Sequence, residues 1–328
     1  MSVDIYTPKV PKRFVISDTI IEELLTDPVA AAYCIFGVKL DAFQRVRLRR
    51  YWWVPQVIDS SGVSTGKTFV FWIYINLRAV LLGQHTAGVF YQTFSTGKEA
   101  FWNQYTKPWG QRPIFRAQLG RFDELGRAAK STLKSPSCYS FSLNNGSRIL
   151  MPAPSWLQDA QNIGSYRFNT GGIDEWTKVE NTGTTGIDDQ FFGRITMTNW
   201  NQSHPIWCNH IKFLATAESQ GHPAWRRYQR FVRRMKSGDP NVDVFSFSYK
   251  DYSNEEIEPG QTFRDKFRQE NTMKQMKDQL ERDHVLREVY GIWSKSGRGW
   301  YAPEAIERTV ELGKQIGFEV EHDVGMRN

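Results

Sequence analysis

The segment Ser61-Gly62-Val63-Ser64-Thr65-Gly66-Lys67-Thr68 gathers residue types that can hold a phosphate chain. Glycines let backbone N–H groups turn toward phosphate oxygens, and a helix beginning at such a turn adds the favourable end of its dipole. In that arrangement Lys67 would reach the β- and γ-phosphates of a nucleoside triphosphate, and Thr68 would ligate Mg²⁺. The strict pattern places glycine where this chain has Ser61, so the motif depends on its context.

A second group follows at Gly171-Gly172-Ile173-Asp174-Glu175. Asp174 is a candidate to hold Mg²⁺, and Glu175 to orient and polarise an attacking water. A third segment, Leu214-Ala215-Thr216-Ala217-Glu218-Ser219, offers Thr216 as a polar residue that could sense the γ-phosphate. Upstream, Leu40-Asp41-Ala42-Phe43-Gln44 presents an amide side chain, Gln44, that can both donate to and accept from adenine. Phosphate loop, acidic pair and polar third element occur in the order an ATPase requires.

These residues need elements to position them. Short apolar runs at 54–59, 87–93, 168–174, 211–216 and 242–247 predict strands, and helical patterns follow at 67–82, 96–105, 224–235 and 272–290. Their alternation predicts an α/β fold with a mostly parallel central sheet. The runs 139–143 and 148–151, joined through Asn144, Asn145 and Gly146, predict a hairpin. The strand at 168–174 is the weakest, because Asn169, Thr170 and two glycines interrupt it. Residues 1–39 read as an N-terminal arm, 40–293 as the ATPase domain and 294–328 as a lid or linker.

The 328 residues suffice for one large core, and 40% hydrophobic composition argues against disorder as the dominant state. A formal charge of +7 fits an anionic partner without identifying one. Cys34, Cys138 and Cys208 lack the spacing of a zinc or redox pair, which suggests a reducing, cytoplasmic setting. No apolar run approaches the roughly 20 residues of a membrane span. The abundant aromatics, including 12 Trp, read first as core.

Residues 225–235 contain five arginines within an arc of about 120°, at about 100° per residue, while Trp225, Tyr228, Phe231, Val232 and Met235 take the opposite arc. The basic face, with Arg226, Arg230 and Arg233 at its centre, is either a solvated surface or a sequence-independent phosphate contact. Arg45, Arg47, Arg49 and Arg50 form a second basic cluster, open to a neighbouring subunit's nucleotide, to water or to DNA.

Taken together, the glutamine motif at 40–44, the phosphate loop, Asn145-Gly146-Ser147-Arg148-Ile149, Asn162-Ile163-Gly164 and the segment 286–293 resemble the ATPase domain of the tailed-phage terminase large subunit. The resemblance covers roughly residues 40–301. It implies an ATP- and Mg²⁺-dependent motor that moves double-stranded viral DNA into a capsid, works as a homo-oligomeric ring, and meets a portal protein and a small terminase subunit in the host cytoplasm. The chain departs from the family at Val63 and Gly164, where many relatives carry arginine. The arginine that stabilises transition-state charge is therefore open among Arg167, Arg148 and Arg194. Full-length relatives continue into a nuclease domain. The acids after Trp300 read as a solvated helix and tail, and no nuclease activity is expected of this chain. Two rival readings stand: a helicase-like nucleic-acid-dependent ATPase, and a non-catalytic nucleic-acid-binding assembly protein with a degenerate phosphate loop.

Overall fold

The computed structural model describes residues 18–91, 93, 95–100, 107–118, 132–134, 138–152, 168–178, 206–248, 274–275, 278 and 282–295. Three helices come first, α1 (Asp18–Thr26), α2 (Pro28–Phe36) and α3 (Ala42–Trp53), then β1 (Gln56–Asp59) and α4 (Lys67–Leu81). Seven more strands follow: β2 (Thr86–Phe90), β3 (Thr132–Lys134), β4 (Cys138–Ser142), β5 (Arg148–Pro152), β6 (Thr170–Asp174), β7 (His210–Leu214) and β8 (Val242–Phe245). They form one sheet in the order β3-β4-β5-β2-β6-β7-β1-β8, parallel from β5 to β8 and antiparallel at the β3–β4–β5 edge. The expected α/β fold is present. β2, β7 and β8 end two or three residues earlier than expected, whereas β1 and β6, whose last residues are the acids Asp59 and Asp174, end where expected.

Alternation along the strands divides the core in two. Val57, Val89, Ile149, Leu214 and Phe245 join the cluster that holds Phe71, Trp72 and Ile75 of α4. Their neighbours Ile58, Phe90, Leu150, Phe213 and Val244 join the other cluster, with Ala224 and Phe231 of the Ala224–Lys236 helix. Residues 18–36, expected within an arm, instead belong to the first cluster through Leu24, Ala31, Ala32, Ile35 and Phe36. Many of the aromatics are core, as expected, with Trp52 and Trp72 fully buried.

The polar residues that weaken β6 in the sequence each have a task. Asn169 Oδ1 accepts from Thr86 N at 2.9 Å, and Thr170 Oγ1 accepts from the buried Arg78 Nε at 2.7 Å. A Cβ on Gly172 would stand 2.5 Å from the Phe71 ring, so only glycine lets α4 pack this closely on the strand. Asn145 Nδ2 donates to the carbonyls of Ala79 and Val80 at 2.8 and 2.9 Å. The Asn-Gly-Ser hairpin thus supplies donors to carbonyls that the end of α4 leaves without helical partners.

Helix is present at 95–100, starting one residue before the expected span 96–105, and 101–106 lie outside the described residues. Of the expected helix 272–290, the described part includes Arg282–His284 and a π-helical turn at Val285–Val289. Residues 1–17 and 296–328 also lie outside the described residues, and with them most of the expected lid and its acids. No helix among the described residues is long and apolar enough to cross a membrane.

Candidate nucleotide site

Register brings the site together. Asp59 at the end of β1 and Asp174 at the end of β6 both pair with Leu214 of the strand between them, so the two acids stand level at one edge of the sheet. The loop 60–66 leaves β1 at that edge and enters α4 at Lys67. Gly66 has φ 79°, and Ser64 also takes a left-handed conformation at φ 58°. A strand, a turn with left-handed residues and a helix N-terminus are what the loop's sequence called for.

Ser61 does not occupy a position of positive φ, so the missing glycine costs the turn nothing here. Its buried hydroxyl is used instead. Ser61 Oγ donates to Asp59 Oδ1 and accepts from Phe247 N at 2.8 Å and Arg47 Nη2 at 3.1 Å. The departure from the strict motif is a tie between β1, the loop and the chain beyond β8.

Arg47, one of the basic cluster at 45–50, belongs to the site itself. It is fully buried, with Nε 2.7 Å from Asp59 Oδ2 and Nη1 2.6 Å from the Thr65 carbonyl, and its guanidinium lies 5.0 Å from the centre of the Phe247 ring. Tyr51 OH donates to the same Asp59 oxygen at 2.6 Å. Burial would raise the Asp59 carboxyl, but the charges of Arg47 and Lys67 and the hydrogen bonds from Ser61 and Tyr51 hold it below its ordinary value. Arg50 pairs with Asp243 at 3.0 Å. Arg47 is therefore withdrawn from the expectation that the cluster faces water, a neighbour or DNA, while Arg49 is exposed and the Arg50 side chain is only partly covered by its pair.

Lys67 Nζ donates to the carbonyls of Ser61 and Gly62 at 2.7 and 2.8 Å, leaving one of its three donors for a phosphate oxygen. Thr68 Oγ1 donates to Asp174 Oδ2 at 2.8 Å. These are the two oxygen donors expected to share a cation, and hard oxygen ligands at the mouth of a phosphate loop suit Mg²⁺. Asp174 is 3% exposed, and burial, reinforced by the neighbouring Glu175 charge, pushes its carboxyl up to about 6. Glu175 has φ 55°, an uncommon conformation for a side-chain-bearing residue and one that clusters at functional sites. Its carboxylate meets Lys178 Nζ at 2.9 Å.

Gln44 lies against the loop, since a Cβ on Gly66 would come 3.1 Å from its Nε2. Its Oε1 accepts from Asp41 N at 3.2 Å while Asp41 Oδ1 accepts from Gln44 N at 2.7 Å, a reciprocal cap at the start of α3. A paired contact with adenine would require Oε1 to leave that cap. Thr216 is buried two residues beyond β7. The adjoining Glu218 carboxylate meets Arg287 Nη1 at 2.8 Å, and Ser294 N donates to the Glu218 carbonyl at 3.2 Å. The same C-terminal segment touches the phosphate loop, where Val63 N donates to the Glu288 carbonyl at 2.7 Å.

Of the three candidate arginines, Arg167 and Arg194 lie outside the described residues, as does Asn162-Ile163-Gly164. Arg148 begins β5, level with Thr86 at the start of β2, whereas Asp174 ends β6 at the other edge of the sheet. Five strand steps place it about 16 Å away along the strands. Arg148 is therefore removed as a partner of this chain's own acidic pair. On the Ala224–Lys236 helix, Arg226, Arg230 and Arg233 are exposed, as expected for the centre of the basic face. The flanking two are engaged: Arg227 lies 5.1 Å from the Phe213 ring centre, and Arg234 pairs with Asp239 at 2.7 Å.

A mostly parallel sheet flanked by helices, with a phosphate-type loop between β1 and α4 and an acid pair ending a neighbouring strand, defines the P-loop NTPase fold. The fold is more particularly that of phage large-terminase ATPase domains. The Thermus phage P74-26 large terminase ATPase domain superposes with a TM-score of 0.50 at 10% identity, covering 86% of this chain and 100% of that one. The HK97 bacteriophage large terminase gives 0.51 at 14% identity, covering 81% of this chain and 54% of that one. The large terminase of a thermophilic bacteriophage, solved in complex with ADP, gives 0.50 at 10% identity over 78% of this chain and 54% of that one. This chain thus spans about half the length of the last two proteins. No protein-family model matches the sequence, and the search of curated proteins returns no match.

Proposed function

We propose that this chain is an ATP-hydrolysing motor of the terminase type, translocating double-stranded DNA into a capsid. The observation that carries the reading is the contact of Thr68 Oγ1 with Asp174 Oδ2 at 2.8 Å, which joins the end of the phosphate loop to the acidic strand. The shared fold and the ADP complex of the thermophilic phage terminase support it. Lys67 and the N–H groups of residues 64–68 hold the triphosphate, those of Gly62 and Val63 being bonded to the Phe247 and Glu288 carbonyls, with Gln44 beside the loop and Thr216 at the γ-phosphate end. Thr68 and Asp174 would hold Mg²⁺, whose charge would offset that developing on the phosphate oxygens. Glu175 orients and polarises the attacking water, and an arginine completes the charge stabilisation, with Arg167 the candidate on this chain. The 40–293 span acts as the motor and the segment beyond it as a lid or linker. A homo-oligomeric ring, a portal protein, a small terminase subunit and the host cytoplasm are the partners and setting this function requires.

Duplex DNA should stimulate phosphate release by the purified chain. A purified chain that hydrolyses no ATP with or without DNA would favour the degenerate assembly protein instead, and strand separation on a forked substrate would favour the helicase-like reading. Glu175→Gln should retain Mg·ATP binding and lose turnover by about 10²–10⁴-fold, because the amide still hydrogen-bonds but cannot accept a proton. Asp174→Asn should weaken metal-dependent binding instead. Turnover unchanged in both variants places the catalytic carboxylate elsewhere.

Arg226, Arg230 and Arg233 form the exposed basic face available to phosphates. Replacing all three by Ala should weaken binding to unrelated duplexes by a similar factor and flatten the dependence of log affinity on log salt. An unchanged salt slope assigns this face to solvent.

A further inference from the structure

The turn that follows the acidic strand returns a side chain to the end of that strand. Asp174 Oδ1 accepts from Glu175 N at 3.1 Å, which fixes the backbone where Glu175 takes its left-handed conformation. Lys178 N then donates to the Glu175 carbonyl at 2.8 Å and closes a 3₁₀ turn at Trp176–Lys178. With about three residues per turn, side chains at i and i+3 stand over one another. Trp176 and Thr177 are buried and anchor the turn, with the Trp176 ring centre 5.5 Å from that of Phe213. Lys178 Nζ consequently meets Glu175 Oε2 at 2.9 Å. That oxygen is shielded from solvent, whereas the Glu175 side chain as a whole is 38% exposed. The contact with Glu175 holds the Lys178 ammonium above its ordinary value, against the opposing pull of burial. Of the two other acids whose charges reach Lys178, Glu218 is already engaged by Arg287 at 2.8 Å. The Glu175 charge acts on Lys67 as well, so the carboxylate lies within electrostatic range of the phosphate loop.

We propose that Lys178 is a positioning residue for hydrolysis: by holding Oε2 it leaves the other oxygen of Glu175 set toward the attacking water. A carboxylate that orients water and takes its proton works through one oxygen, and free rotation about its terminal bonds would carry that oxygen out of line. Misplacing a reacting group by about 1 Å can cost about 10²-fold in rate, so one fixed contact matters more to turnover than to stability. Pairs as exposed as this one contribute little to folding. The neighbouring acid is held in the same manner, with Asp174 Oδ2 accepting from Thr68 and Oδ1 from Glu175 N. Both carboxylates at the end of β6 thus have a partner that sets their orientation. This inference rests on the role given to Glu175 in the proposed function, and it gives Lys178 no contact with the nucleotide.

The test measures steady-state ATP hydrolysis by the full chain carrying Lys178→Met, which keeps the apolar stem and removes the charge. Its kcat should fall by about 10–10²-fold while KM for ATP stays near wild type, with the melting temperature as the control for fold. Lys178→Arg keeps a cation on the turn and should retain most of the turnover. In a Glu175→Gln background, Lys178→Met should lower kcat no further, because the carboxylate through which it acts is gone. An unchanged kcat in Lys178→Met overturns the proposal, and a raised kcat does too, since it would make Lys178 a restraint on the base. A higher KM at constant kcat would put Lys178 on the nucleotide and also overturns it. So does an Arg variant as slow as the Met variant, or an equal fall in the Glu175→Gln background. All of these leave the proposed function standing. Absence of hydrolysis by the wild-type chain, with and without DNA, overturns both.

Discussion

Lys67→Ala is expected to lower ATP turnover by at least about 10²–10³-fold, the range for losing one preorganised group that stabilises transition-state charge. Lys67 contributes a full positive charge at the N-terminus of α4, held by two carbonyls of the loop it serves. Alanine is the best helix former, so the start of α4 should survive. The readout is phosphate release from purified wild type and variant, with melting temperature as the control for fold. Wild-type turnover in the variant would remove the phosphate loop from the mechanism.

The second large effect is on stability. Arg47→Met should destabilise the chain by about 3–5 kcal/mol, because it leaves Asp59 buried without its cationic partner. The pH dependence has a definite sign. In the wild-type chain the Asp59 carboxyl is held below its ordinary value, so its contribution is present above the unfolded carboxylate pKa of about 3.9 and lost as pH falls through the folded value. In the variant the lowering by Arg47 is lost while burial still acts, so the carboxyl moves up and the penalty fades as pH falls toward about 4. The difference between the two proteins should therefore narrow on acidification. Adding Asp59→Asn to the variant should recover part of the loss at neutral pH, as a coupled pair requires. Urea unfolding measures both. A loss under about 1 kcal/mol at neutral pH would mean that Asp59 finds another partner or is neutral in the fold.

Hydrophobic alternation made β1, β2, β5, β7 and β8 legible, and Asn-Gly marked the β4–β5 turn. The acidic strand β6 was harder to read because its information lies in packing: Gly172 makes room for Phe71, and Thr170 answers a buried arginine from α4. Ser61 was a mismatch in a linear pattern, and its purpose emerges only where β1, α3 and the chain after β8 meet. Arg47 carries its signal in helical phase. It shares that phase with Leu48, Tyr51 and Trp52, which are all buried, whereas Arg49 is exposed. A wheel over 42–53 separates it from its basic neighbours. The Asp41-x-x-Gln44 spacing likewise announced a capping box, a structural use of Gln44 that accompanies its place beside the loop. Arg148 illustrates the converse, since strand polarity alone placed it at the wrong edge of the sheet.

The most direct measurement of the central claim is a crystal structure of the chain with Mg²⁺ and a non-hydrolysable ATP analogue. Triphosphate oxygens are expected on the N–H groups of residues 64–68, with Lys67 Nζ on the β- and γ-phosphates and a cation bound by Thr68 Oγ1 with Asp174 in its shell. A nucleotide bound elsewhere, or a phosphate loop that stays empty at saturating analogue, would contradict it.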